Sequence, residues 1–210
     1  MSNRLPKVSD KHKVCIICEG NEEYKYLEKL IELHVWSDAY SVSLVNAEGN
    51  GNIPARYQDR YQSDSYEVVL VFCDTEKKPY EQYSDIKRKI NEFHGIDNAS
   101  DEVVIFANPC TLQIVIKHWT DEMIKTPAKP VNASLIEDYT SVANYKARVD
   151  QIDAIMKHIN KENYSQMKSR LTETSTDDSV LGSTNIMRFL QDFESEDCGW
   201  IKRINDKLEE

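Results

Sequence analysis

Acidic side chains stand just past an apolar run at two places in the chain. Cys18-Glu19-Gly20-Asn21-Glu22-Glu23 closes the run VCIIC, and Phe72-Cys73-Asp74-Thr75-Glu76 closes the run VVLVF. If the two runs are neighbouring parallel strands, Glu19 and Asp74 come to lie about 5 Å apart in the sheet direction. Glu76, two residues beyond Asp74, points the same way. Carboxylates gathered on one edge repel each other unless a cation sits among them. Hard oxygen donors suit Mg²⁺ or Mn²⁺ rather than zinc, and no histidine lies near either motif. A divalent ion held in this way serves phosphodiester chemistry: it polarises a phosphoryl oxygen, lowers the pKa of a bound water and neutralises the leaving oxygen. Glu19, Asp74 and Glu76 are therefore the expected catalytic and metal-holding residues. Glu23 reads two ways, as a further acid on the metal side or as an ordinary first-turn helix acid favoured by the macrodipole.

Phosphate-binding candidates flank these acids. Gly20 follows Glu19 directly, and Gly49-Asn50-Gly51-Asn52 precedes a helix expected from Ile53. Glycines let backbone N–H groups approach an anion, so Gly20, Gly49, Gly51 and Asn52 are candidate substrate contacts; a plain turn explains Gly49 and Gly51 equally well. Lys77 and Lys78 follow the acids and either meet substrate phosphates or stay solvated. Tyr57, Tyr61, Tyr66, Tyr80 and Tyr83 offer rings on which bases stack, but no basic stripe runs among them, which favours packing and surface roles.

The elements that must position these residues alternate over the first 120 positions. β-rich runs cover Val14 to Cys18, Tyr40 to Asn46, Val68 to Cys73 and Val103 to Ala107. Between them, Leu27, Leu30, Ile31, His34 and Val35 share a helical face, as do Ile86, Ile90 and Phe93, and again Leu112, Val115, Ile116 and Trp119. Strands apolar on both faces belong in a parallel sheet covered by helices. The expected fold is thus α/β and Rossmann-like, a central four-stranded, mainly parallel sheet with its working site at the carboxyl ends of the strands. After Pro130 no strand is evident. Residues 145–159, 162–171, 185–193 and 199–208 read as helices, with Ser183 and Thr184 offering capping oxygens before the third. The division expected is an α/β domain over 12–120 and a helical extension over 121–210.

Composition narrows the function classes. The 210 residues carry a net charge of −10, which removes any general attraction for a phosphate backbone and speaks against a passive nucleic-acid coat. It speaks less against a nuclease, because bound metal supplies positive charge. The acidic run Glu194 to Asp197 reads as solvated surface. Cys15 and Cys18 have CxxC spacing, but they sit inside an apolar strand with no second pair to complete a zinc site, and five cysteines read as free thiols in a reducing cytoplasm. MSNRLPKVSDKHK has no apolar core for a leader peptide, and no run approaches the roughly 20 apolar residues of a membrane span. No GxxxxGK[ST] loop occurs, which disfavours a P-loop nucleotide binder.

Taken together, the motifs resemble those of the TOPRIM nucleases, and more narrowly the RloB-like and AbiLii-like, OLD-related branch. Glu19-Gly20-Asn21-Glu22-Glu23 with Tyr26-Leu27 is similar to the family's EGxxE opening. Gly49-Asn50-Gly51-Asn52-Ile53 resembles its glycine loop, and Asp74-Thr75-Glu76 stands where the family has DxD. Asn108-Pro109-Cys110 with His118-Trp119 resembles its NPC…H-aromatic segment, and Ser183-Thr184-Asn185 is a weaker fifth match. The resemblance implies a TOPRIM domain with Glu19 as metal ligand or general base, and Asp74 and Glu76 at the metal positions. It also implies Mg²⁺- or Mn²⁺-dependent hydrolysis of DNA or RNA in anti-phage defence, beside an AAA- or ABC-type ATPase encoded nearby, with self-association a further expectation. On residue type alone, His118 and Trp119 read first as core residues closing a helix. Two departures accompany the resemblance: Glu76 is one methylene longer than Asp, and Leu112 and Gln113 occupy the region where the family has a further acid. The second departure motivates an alternative, a non-catalytic metal- or nucleic-acid-binding subunit docking on the ATPase.

Overall fold

The apolar runs form four strands, β1 (His12–Cys18), β2 (Tyr40–Asn46), β3 (Val68–Asp74) and β4 (Val104–Ala107), in a computed structural model that describes residues 11–209. Most of the amino-terminal stretch read as lacking a leader therefore lies outside the described residues. The sheet has the order β2-β1-β3-β4, and every pairing is parallel. Helices α1 (Asn21–Glu32), α2 (Ile53–Gln62), α3 (Glu81–His94) and the short α4 (Ala99–Val103) connect the strands and cover the sheet. All seven residues of β3 are buried, Asp74 included, which is what a central strand covered on both faces requires. From β1 the chain first moves outward to β2, then crosses back past β1 to β3. The direction of winding thus reverses beside β1, and the crevice beyond the ends of β1 and β3 is the topological switch point of the sheet.

The CxxC pair illustrates how the strand period decides chemistry. Cys15 and Cys18 lie an odd number of residues apart in β1, so their side chains leave opposite faces of the sheet. Both are buried and free, and burial pushes the Cys15 thiol up to about 11.

Beyond the sheet come α5 (Leu112–Ile116), α6 (Lys129–Thr140), α7 (Val149–Met156), α8 (Lys161–Leu171), α9 (Ile186–Glu194) and α10 (Gly199–Leu208). They pack back onto the sheet layer. The Phe193 ring of α9 stacks on Trp36 with centroids 4.5 Å apart, and Trp200 Nε1 of α10 donates to Tyr40 Oη at 2.8 Å. The exposed edge of β4 is closed by residues 182–185. Asn185 acts as a one-residue strand: its Oδ1 accepts from Phe106 N at 2.9 Å and its Nδ2 donates to the Val104 carbonyl at 2.8 Å. Removing this amide strands two backbone groups of a sheet edge, so Asn185→Ala is expected to cost about 1–3 kcal/mol in urea unfolding. An unchanged denaturation midpoint would remove the edge-closing role.

Several boundaries differ from the periodic reading, each for a local reason. The α1 helix stops at Glu32 because His34 takes a left-handed φ of 49°, so His34 and Val35 fall outside it. The helix expected from residue 145 begins at Val149, after left-handed Asn144 and Ala147. The 111–119 segment is helical only over Leu112–Ile116 and ends in turns. The capping oxygens expected before α9 work differently: Thr184 Oγ1 accepts from Ile186 N at 3.2 Å, whereas Ser183 Oγ is buried without a partner among the described residues. Within the acidic run, Glu194 is not free surface, since Tyr164 Oη and Lys168 Nζ both donate to it. No helix among the described residues is long and apolar enough to cross a membrane.

Candidate metal centre

Each acid is placed by backbone contacts at the switch point. β1 delivers Glu19, whose N–H continues the pairing with β3 by donating to the Phe72 carbonyl at 3.0 Å. The loop after β2 crosses beneath it, where Gly49 N donates to the Glu19 carbonyl at 2.9 Å. Gly49 has φ of 122°, a conformation side chains rarely adopt, so glycine is required there. Past β3, Thr75 N donates to the Ala107 carbonyl and Glu76 N to the Pro109 carbonyl, both at 3.0 Å. The loop after β3 is thus fastened to the segment after β4, and Glu76 is held at a left-handed φ of 63°. Strain of this kind at a non-glycine residue costs on the order of 1–2 kcal/mol and persists only where the surroundings enforce it.

The outcome is convergence. Glu19, Asp74 and Glu76 each present a carboxylate oxygen, and the three oxygens lie within 4.8 Å of one another. Glu19 Oε2 accepts from Asp74 N at 2.9 Å, which ties the two strand ends together. Asp74 Oδ1 accepts from both Thr111 N and Thr111 Oγ1, at 2.7 and 2.8 Å. Among the described residues no donor reaches Asp74 Oδ2 or either carboxylate oxygen of Glu76, so these remain available to a ligand.

Electrostatics sets this group apart from ordinary surface acids. Burial, followed by the Glu23 carboxylate, pushes Glu19 up to about 8 despite the Asp74 N–H that stabilises its charge. Burial, then Glu23 and Glu19, pushes Asp74 well above the usual carboxylate range. Burial also raises Glu76. Charge of one sign has been concentrated where water is scarce, and that arrangement is stabilised by either protons or a cation. The available donors are hard oxygens. The nearby Cys73 thiol is raised by burial and by Glu19, stays protonated, and is a poor ligand. The group can therefore hold a divalent ion, and the donor chemistry fits one of the Mg²⁺ or Mn²⁺ kind.

Not every expected residue joins the group. Glu23 falls outside it: its Oε2 accepts from Gly20 N at 2.9 Å, so it caps the start of α1 beneath the acids. Gly20 has extended backbone geometry and needs no glycine-specific turn. Gly51 has neither a positive φ nor any neighbour that a methyl group would meet, so nothing in its geometry demands glycine. Asn52 is spent on the turn, its Nδ2 donating to the Ala47 carbonyl at 2.9 Å. Asn108 is buried, and its Nδ2 donates to Tyr80 Oη at 3.1 Å and to the Asp178 carbonyl at 2.7 Å. Pro109 supplies the carbonyl that fixes Glu76. His118 is a core residue between Tyr26 Oη (3.2 Å) and Asn163 Oδ1 (3.1 Å), and burial lowers its pKa to about 4, which keeps it neutral. Lys77 is exposed on the rim beside Glu76.

Three participants are not singled out by residue type, though Asn50 lies within the glycine loop. Thr111 orients Asp74, as described above. Asn50 lies between Glu19 and Gln82; with its amide nitrogen turned to Glu19, it donates to Oε1 and Oε2 at 2.7 and 2.6 Å. Lys129, at the start of α6, pairs with Glu22, which also accepts from Tyr145 Oη at 2.7 Å. Burial alone would lower the Lys129 pKa, but Glu22 and Asp74 outweigh it and hold the ammonium charged beside the acids. Comparison of the chain with protein-family models, with curated proteins and with solved structures found no match in any of the three.

Proposed function

We propose that this chain is a divalent-metal-dependent phosphodiesterase that cleaves nucleic acid, of the TOPRIM nuclease type its motifs resemble. The observation that carries the reading is the meeting of Glu19, Asp74 and Glu76 within 4.8 Å at the switch point of a parallel sheet, with Asp74 Oδ2 and the Glu76 oxygens left unengaged. Glu19, Asp74 and Glu76 would hold the cation, Mg²⁺ or Mn²⁺. When bound, it polarises the phosphoryl oxygen, activates water and neutralises the leaving oxygen. Thr111 and the Asp74 N–H fix the two strand-end carboxylates. Burial pushes the Glu19 carboxyl up to about 8, so a cation held there would compete with a proton for the same oxygens. Lys129 brings a positive charge next to the buried carboxylates, where a phosphate must approach. The setting in a cytoplasmic anti-phage defence system, beside an AAA- or ABC-type ATPase, belongs to this proposal on the strength of the motifs alone.

The test is metal removal. Purified protein is expected to cleave labelled DNA or RNA in Mg²⁺ or Mn²⁺, to stop in excess EDTA, and to resume when the ion is restored. Cleavage undiminished in EDTA would overturn the reading.

One observation favours a second reading, a non-catalytic metal- or nucleic-acid-binding subunit that docks on a partner ATPase. Where the resembled family has a further acid, Leu112 and Gln113 are buried, and Gln113 Oε1 accepts from Ile124 N at 2.7 Å. Among the described residues three carboxylates then share the centre. Calorimetric Mn²⁺ binding without cleavage of any polynucleotide, alone or with the ATPase, would select this reading.

A further inference from the structure

Beside Glu76 lies a cavity of about 700 Å³, within the range of small-ligand sites. Its wall reverses the sign of the molecule. The chain as a whole carries −10, yet Lys77, Lys78 and Lys125 line this cavity, with Glu76 the one carboxylate in its wall among the described residues. Lys125 belongs to the segment before α6 and is brought from 47 positions away in sequence, so the basic cluster exists only in the fold. The Tyr80 ring and the exposed side chain of Leu181 add flat and apolar surface. Lys78 Nζ stands 5.8 Å from the centre of the Tyr80 ring.

Two further features mark this as a built surface. Tyr80, like Glu76, is held at a left-handed φ, 62°, so both residues at the cavity's acid end are kept in a costly backbone state. Asn108 fixes the Tyr80 hydroxyl; it is wholly buried, lines the cavity, and its Oδ1 has no hydrogen-bond partner among the described residues. An adjoining cavity of about 490 Å³ shares Glu76, Lys77, Lys78 and Tyr80, so open space continues along the same loop past the acid.

We infer that the cavity receives an unstacked nucleotide of a single-stranded polynucleotide, its base on Tyr80 and Leu181 and its flanking phosphates on Lys77, Lys78 and Lys125. A base can reach an aromatic wall only when it is out of its own stack, which a strand offers and a duplex does not. Positive charge clustered in a groove of an acidic protein tracks a backbone locally without attracting duplex over the whole surface. Space continuing past Glu76 suits a chain with residues on both sides of the cleaved bond. This deepens the phosphodiesterase reading and rests on it for the identity of the reaction, but strand binding itself is measured separately.

Fluorescence anisotropy in Ca²⁺ compares a labelled twelve-nucleotide DNA strand, the same strand in RNA, and its blunt duplex. At least one of the two strands is expected to bind at least about ten-fold more tightly than the duplex. Tyr80→Leu should weaken strand binding by about ten-fold, while Tyr80→Phe, which keeps the ring, should not. The triple variant Lys77→Gln, Lys78→Gln, Lys125→Gln should lower the salt dependence of log K by about 2, the contribution of three phosphate contacts to a single strand. Equal affinity for duplex and strands, Tyr80→Leu binding like the wild type, or an unchanged salt slope in the triple variant would each overturn the inference. Calorimetric Mn²⁺ binding is run in parallel. Strand binding without Mn²⁺ binding would sink the metal reading alone, and Mn²⁺ binding with no strand preference would sink the cavity assignment alone.

Discussion

Asp74→Asn is expected to lower cleavage by about 10³-fold and to abolish measurable Mn²⁺ binding, while making the metal-free protein more stable. The loss follows from the charge that holds the cation. A bound metal contributes several kcal/mol of transition-state stabilisation, and about 4 kcal/mol corresponds to a factor of 10³. The gain in stability follows from the same charge without its cation. Asp74 is buried, and its carboxyl is pushed up by burial, by Glu23 and by Glu19, so an ionised Asp74 opposes folding. Asn keeps an oxygen for Thr111 N and Thr111 Oγ1, so the orienting contacts survive the change. Thermal unfolding in EDTA at pH 8 should show a higher Tm for Asp74→Asn than for the wild type. A variant that lost both activity and stability would make Asp74 a packing residue rather than a metal ligand.

The metal-free protein should also lose stability as pH rises, and a divalent ion should cancel the loss. Glu19 has its pKa raised from 4.5 to about 8 on folding, with Asp74 and Glu76 raised in the same direction. A group whose folded pKa lies above its unfolded value stabilises fully below the unfolded pKa, and that contribution disappears as pH climbs through the folded one. His118 works in the opposite sense: its pKa is lowered from 6.5 to about 4, so its contribution grows with pH and is complete by about 6.5. The window that reads the acids alone is therefore pH 6.5 to 8. At 1.36 kcal/mol per pKa unit Glu19 alone loses about 2 kcal/mol across it, and Tm in EDTA should fall by about 4–8 °C or more. Saturating Mn²⁺ at 100 times its Kd adds about 2.7 kcal/mol at pH 8 but little at pH 6, where protons compete for the same oxygens. A Tm shift on adding Mn²⁺ that is the same at both pH values would contradict the coupling.

The parts of this arrangement legible in the sequence are those governed by local chemistry. Apolar runs ending in Glu19 and Asp74 announced strands, because burial on both faces leaves few other sequences, and Gly49 announced a turn that geometry indeed requires. What stayed hidden depends on the fold. Lys129 stands 55 positions beyond Asp74 and opens a helix whose apolar residues give no clean stripe: Val131 is 66% exposed while Ile136 is buried. Thr111 looks like any residue at a helix start until β4 brings it against Asp74. No basic stripe runs among the tyrosines in sequence, yet Lys125 joins Lys77 and Lys78 around Tyr80 once the chain has folded. For Glu23 and His118 the plainer of two sequence readings is the one the fold uses. Both have the residue types of a site, but one caps α1 and the other cross-links the core.

The central claim is that Glu19, Asp74 and Glu76 share one divalent ion. Crystals soaked in Mn²⁺ and measured at the manganese absorption edge test it directly. The account predicts one anomalous peak within about 2.0–2.4 Å of an oxygen from each of the three side chains. No peak there at saturating Mn²⁺, or the three carboxyl groups turned toward separate partners, would contradict it.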